Sequence, residues 1–97
     1  MAANINTAEI RRSARALQAC ARRAKSDLLS SVRKTLDNVD QAVEGEAAAA
    51  LTDRLESITG DIRRSYQHLS AAAESMFKYA DKLDEIDAAT KNMINSK

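Results

Sequence analysis

Residues 43 to 51 read VEGEAAAAL. The chain has 97 residues, no proline and two glycines, Gly45 and Gly60, so few positions can break a helix. Gly45 is the natural C′ residue of a long helix, because without a Cβ it takes a positive φ that other residues resist. The four alanines and Leu51 that follow are strong helix formers, and they restart the helix at once. The fold then depends on whether the apolar patterns on the two sides of Gly45 match.

Upstream, Asn6 with Glu9 three residues on resembles a capping box, which sets a helix over about 7–43. Its apolar residues are Ile10, Ala14, Leu17, Ala21, Ala24, Leu28, Val32, Leu36, Val39 and Val43, in steps of three and four. That is one stripe of an amphipathic helix. Downstream, a helix over about 46–88 carries Leu51, Leu55, Ile58, Ile62, Tyr66, Leu69, Ala73, Met76, Ala80 and Leu83. Gly60 interrupts it at a cost of about 1 kcal/mol relative to alanine, but the stripe keeps its phase. Residues 89–97 extend beyond any partner in the first helix and are expected to fray.

Folding one stripe onto the other about Gly45 pairs residues whose numbers add to 90, among them Ala14 with Met76, Leu17 with Ala73, Ala21 with Leu69 and Leu28 with Ile62. Each pair is apolar, and in the distal half a large side chain faces a small one, which lets helices approach without voids. The predicted fold is all-α: residues 1–97 form a single domain, an antiparallel two-helix hairpin. Residues 1–34 carry a net charge of +6 and residues 35–97 a net charge of −5, while the whole chain carries +1. The hairpin lays the basic start beside the acidic end, with Arg11 opposite Asp81 and Arg15 opposite Glu74. At the surface such pairs set register more than stability.

One stripe per helix is a thin core for a chain this small. Apolar residues are also left over off the stripe. Leu29 and Leu36 lean to one flank of the first helix, and Ala72, Tyr79, Leu83 and Ile86 form a secondary line on the second. These are the candidate partner-facing residues, and pairing into a four-helix bundle, with a second copy or a different helical protein, would cover them.

Other function classes lack their residues. No nucleophile–base constellation or glycine-rich phosphate loop is present, so an enzyme is not expected. Neither a metal nor a cofactor is expected: His68 is the only histidine and has no cysteine or acid at ligand spacing. Cys20 is the only cysteine, so no internal disulfide can form; it reads as a small hydrophobe, or as an intermolecular bridge after export. Arg11, Arg15 and Arg22 line one helix face as a phosphate-tracking stripe would, but acids lie beside them and no aromatic interleaves them, so nucleic acid is not the expected partner. The sequence contains no apolar run of the ~18 residues a membrane span needs and no secretory leader pattern in MAANINTAEI.

The chain's one phenylalanine sits in FKYAD, residues 77–81. Phe77 and Asp81 are i and i+4, hence neighbours on one helix face. They lie roughly 70° and 110° from the centre of the stripe. A half-covered aromatic beside a carboxylate makes a compact docking element.

The hairpin hinged at a central glycine resembles the WxG-motif family, the small ESX-type proteins of type VII secretion in Gram-positive bacteria and mycobacteria. The family's turn carries Trp-x-Gly; here Val43-Glu44-Gly45 keeps the glycine and lacks the tryptophan. The family's late YxxxD/E signal has no tyrosine version here, since Ser70 follows Tyr66 and Leu83 follows Tyr79 at that spacing. Phe77-x-x-x-Asp81 fits a phenylalanine variant, which looks like the small helical proteins associated with LXG toxins in type VIIb systems. The resemblance implies a non-enzymatic targeting partner that binds the helical N-terminal domain of an LXG toxin, with Phe77 and Asp81 as the export signal read by the secretion ATPase. It implies a cytoplasmic protein before export, leaving by a route independent of a signal peptide. The alternatives are a secreted ESX-like homodimeric substrate and a helical adaptor unconnected with secretion.

Overall fold

The computed structural model describes residues 6–95. They form two helices, α1 (Thr7–Ala42) and α2 (Glu46–Asn95), with no strand among the described residues. The helices fold back on each other as an extended hairpin about 79 Å long and 18 by 16 Å across.

Asn6 caps α1. Its side-chain oxygen accepts the Glu9 N–H at 3.2 Å, which satisfies one of the donors a helix start leaves unpaired. The Glu9 carboxylate turns to Arg12 one turn on. At the other end, Val43 goes extended (φ −132°, ψ 141°) while its N–H still reaches the Val39 carbonyl. Gly45 has φ +80°, as its lack of a Cβ permits, but its place differs from the expected one. Its carbonyl accepts the Ala49 N–H at 3.2 Å, so it opens α2 instead of closing α1. The chain has already left α1 at Val43. A Cβ at Gly45 would meet nothing within 4 Å, so only the backbone conformation calls for glycine there.

Among the described residues, the buried ones are Ala14, Ala21, Ala73 and Ala80. All lie in the half of the hairpin away from the turn, where small side chains let the backbones come close. Toward the turn Val32, Leu36, Val39, Leu55 and Ile62 are only half-buried. The register is close to the expected one: Thr7 meets Asp84 and Lys25 meets Tyr66, both with numbers adding to 91.

Two features depart from the sequence reading. First, Leu28, Leu51, Ile58 and Leu69, all expected on the buried stripe, stay 40 to 51% exposed. Lys25, Thr52, Thr59 and Ser70 are more covered than they are. The Lys25 ammonium sits 4.1 Å from the centre of the Tyr66 ring, a cation–π contact that lets a lysine lie along the seam. Each apolar stripe is wider than the strip that one neighbouring helix can cover, and the seam runs along one edge of it. Second, α2 does not fray after residue 88. It passes through Gly60 and continues to Asn95, so residues 89–95 of the expected loose tail are helical; 96 and 97 fall outside the described residues. Beyond Asp84, α2 projects past the start of α1 by about 16 Å at 1.5 Å per residue.

Candidate functional site

The most closely connected polar cluster joins the start of α1 to α2. Arg11 Nη2 donates to Asp81 Oδ1 at 2.8 Å and to Asp84 Oδ2 at 2.7 Å. Thr7 Oγ1 donates to Asp84 Oδ1 at 2.8 Å. Both acids are half or more exposed, whereas Arg11 is partly covered by the helices it bridges. Hydrogen bonds from Arg11 and then Thr7 hold the Asp84 carboxyl below its ordinary value of 3.8. The same contacts, to Asp81 and then Asp84, push Arg11 above its already high value. The sequence reading had found Arg11 and Asp81 but missed Thr7 and Asp84. Shifting the register by a single residue brings both into reach, and that shift was not visible in the apolar pattern. Arg15 and Glu74, expected as a second pair, form no ion pair among the described residues.

Phe77 is half-buried. It follows Ala73 by four residues and precedes Ala80 by three, so it lies at the edge of the alanine seam. Asp81 stands next to it, exposed, with one oxygen held by Arg11. Aromatic and carboxylate are thus adjacent, and the carboxylate is tied to the other helix.

The partner-facing candidates fall on two faces. Leu29 and Leu36 are half-buried and line a groove of about 340 Å³ with Val32, Arg33, Glu56 and Arg63. The Thr59 hydroxyl in that groove already donates to the Leu55 carbonyl. Ala72, Tyr79 and Ile86 are exposed, and Leu83 is half-buried. Spacings of 14, 21 and 28 residues, all whole heptads, place the three exposed ones in one row with Ile58, on the other face of the hairpin. There Leu28, Ile58, Ile62 and Leu69 line a second groove, of about 210 Å³, with little polar surface. One face is therefore charged and cross-linked by Arg11, and the other is largely apolar. Val43, Glu44 and Gly45 form the turn at the far end from both Phe77 and the Arg11 cluster.

Among the described residues no three of His, Cys, Asp and Glu come together as a metal site, and no helix is long and apolar enough to cross a membrane. Cys20 is free and exposed. Compared with protein-family models, curated proteins and solved structures, the chain finds no match in any of the three.

Proposed function

We propose that this hairpin is a non-enzymatic targeting partner for a helical protein, and that the partner is the N-terminal domain of an LXG toxin of a type VIIb secretion system. The observation that carries the reading is the open apolar face. Ile58, Leu69, Tyr79 and Ile86 stay at least 40% exposed on a helix whose other side is already packed. A face that long is matched by another pair of helices, closing a four-helix bundle. Phe77 and Asp81 would serve as the export signal, supported by their adjacency at the seam edge and by the exposure of Asp81. The protein would be cytoplasmic until the secretion ATPase takes up the complex, and would then either leave with its cargo or stay behind.

The test is toxin export from cells carrying Phe77→Ala or Asp81→Ala. The expected result is loss of export, with the helical circular-dichroism signal unchanged. Export at the normal level from both variants would remove the signal role. One observation favours a second reading, a helical adaptor unconnected with secretion: Asp81 already has a structural use as an acceptor for Arg11. In that case Asp81→Ala weakens the hairpin and leaves export untouched.

A further inference from the structure

One nitrogen serves two acids. Arg11 Nη2 donates to Asp81 Oδ1 at 2.8 Å and to Asp84 Oδ2 at 2.7 Å. A terminal guanidinium nitrogen carries two N–H groups, so both are used. The two acceptors are not equivalent. Asp84 is held at both oxygens, because Thr7 Oγ1 donates to its Oδ1 at 2.8 Å. Asp81 is held at Oδ1 alone, and its side chain is 65% exposed against 50% for Asp84. The two acids are also i and i+3 on α2, close enough for like charges to repel. Asp84 therefore loosens the hold of Arg11 on Asp81 in two ways. It shares the cation, and it repels the second carboxylate.

We infer that Asp84 is a positioning residue that keeps the Asp81 carboxylate available for docking, and that the partner takes this carboxylate with a cationic group of its own, in exchange for Arg11. The inference rests on the docking role proposed for Phe77 and Asp81. Among the described residues, the only ion pairs between the two helices are those made by Arg11. If Asp81 were its sole acceptor, docking would strand a guanidinium that is only 28% exposed and would break the link between the helices. With Asp84 in place, Arg11 keeps a counter-ion, and Thr7 and Arg11 still tie the start of α1 to α2. Asp81 can then change partners without loosening the hairpin. The partner surface that fits is an apolar pocket for the Phe77 ring with a lysine or arginine beside it, since Phe77 lies one turn before Asp81 on the same face.

Two measurements test it. The first is thermal denaturation at low salt, which needs no partner. Asp81→Asn should lower Tm more in an Asp84→Asn chain than in the parent chain, because there Arg11 has Asp81 as its only charged acceptor. An equal or smaller loss would overturn the sharing. The second is toxin export. Asp84→Asn should reduce it by up to about fivefold, the most that an exposed ion pair contributes. Asparagine still accepts from Thr7 and Arg11, so the helical circular-dichroism signal should not change. Added to Arg11→Gln, the same substitution should have no effect, because no cation is left to redistribute. A reduction that persists in the Arg11→Gln chain would mean that Asp84 acts by itself and would overturn the inference. Export that is normal with Asp84→Asn but lost with Asp81→Ala would overturn it too, while leaving the export signal standing. Asp81→Glu should retain export and the uncharged Asp81→Asn should lose it. Export retained by Asp81→Asn but lost with Asp81→Ala would contradict a cationic group in the partner. Normal export from Asp81→Ala would remove the signal itself, and the docking role of Asp84 with it.

Discussion

Away from the turn, alanines meet at Ala14, Ala21, Ala73 and Ala80 and are buried, whereas next to the turn the larger Val32, Leu36, Val39, Leu55 and Ile62 are only half-covered. The half with the smaller side chains is the better packed. Two helices bury what lies between them only as deeply as their backbones can approach, and a methyl group allows a closer approach than an isopropyl group. Large side chains need a further layer to cover their outer surfaces. In this molecule the alanine half is complete as a pair of helices, and the turn half is built for more than two.

The largest expected effect breaks that contrast directly. Ala73→Leu forces extra volume into the closest contact and should cost about 2–3 kcal/mol, read as a fall in Tm of about 4–8 °C per kcal/mol. Leu36→Ala, in the open half, changes the side chain by the same three carbons yet should cost only about 1 kcal/mol, because the side chain is half-exposed. Equal losses from the two changes would mean that the halves are packed alike.

Next in size is the turn. Gly45→Ala places a Cβ on a residue at φ +80°, which should cost about 1–2 kcal/mol through backbone strain alone, since the space around it is empty. Gly60→Ala has the opposite sign. There the added methyl meets only the tip of the Arg64 side chain, at 3.4 Å, and the helix gains about 1 kcal/mol of intrinsic propensity. Thermal denaturation of the two variants side by side should therefore move Tm in opposite directions.

The smallest effect belongs to the Arg11 cluster. Asp84 has its folded-state pKa depressed below 3.8, chiefly by Arg11 and then by Thr7. Its contribution is therefore fully present above the unfolded value and is lost as pH falls through the folded one. Arg11→Gln should lower Tm slightly at neutral pH and low salt. The difference from the parent chain should shrink with added salt and close in acid below the ordinary carboxylate range. A difference that persists in strong acid would mean that Arg11 acts by packing rather than by charge.

Much of this was legible in the residues. Asn6 marked the helix start, Gly45 the bend, and the alanines the side on which the helices meet. The register came out near 91 instead of 90 because Val43 leaves the helix early and Gly45 begins the next one. The sequence pattern could not show which edge of a wide apolar stripe the neighbour would take. A stripe reports that a face is apolar, and Leu28 and Leu69 qualify as well as Ala21 does. The positions of Lys25 and Thr59 near the seam depend on the chemistry of individual side chains: a ring for the ammonium, and the Leu55 carbonyl for the hydroxyl. The adjacency of Phe77 and Asp81 was visible from their spacing. The Arg11–Asp84–Thr7 contacts beside them required the folded register.

The measurement that bears most directly on the account is a distance across the hairpin. Spin labels on cysteines replacing Ser13 and Lys78, in a Cys20→Ser chain diluted with unlabelled protein, report whether the two helices lie side by side. The hairpin, only 18 by 16 Å across, predicts a separation below about 30 Å once label linkers are included, in a single narrow distribution. A helix running straight through Gly45 would separate the labels by nearly 100 Å at about 1.5 Å per residue, and a distance in that range would contradict the fold on which every later step rests.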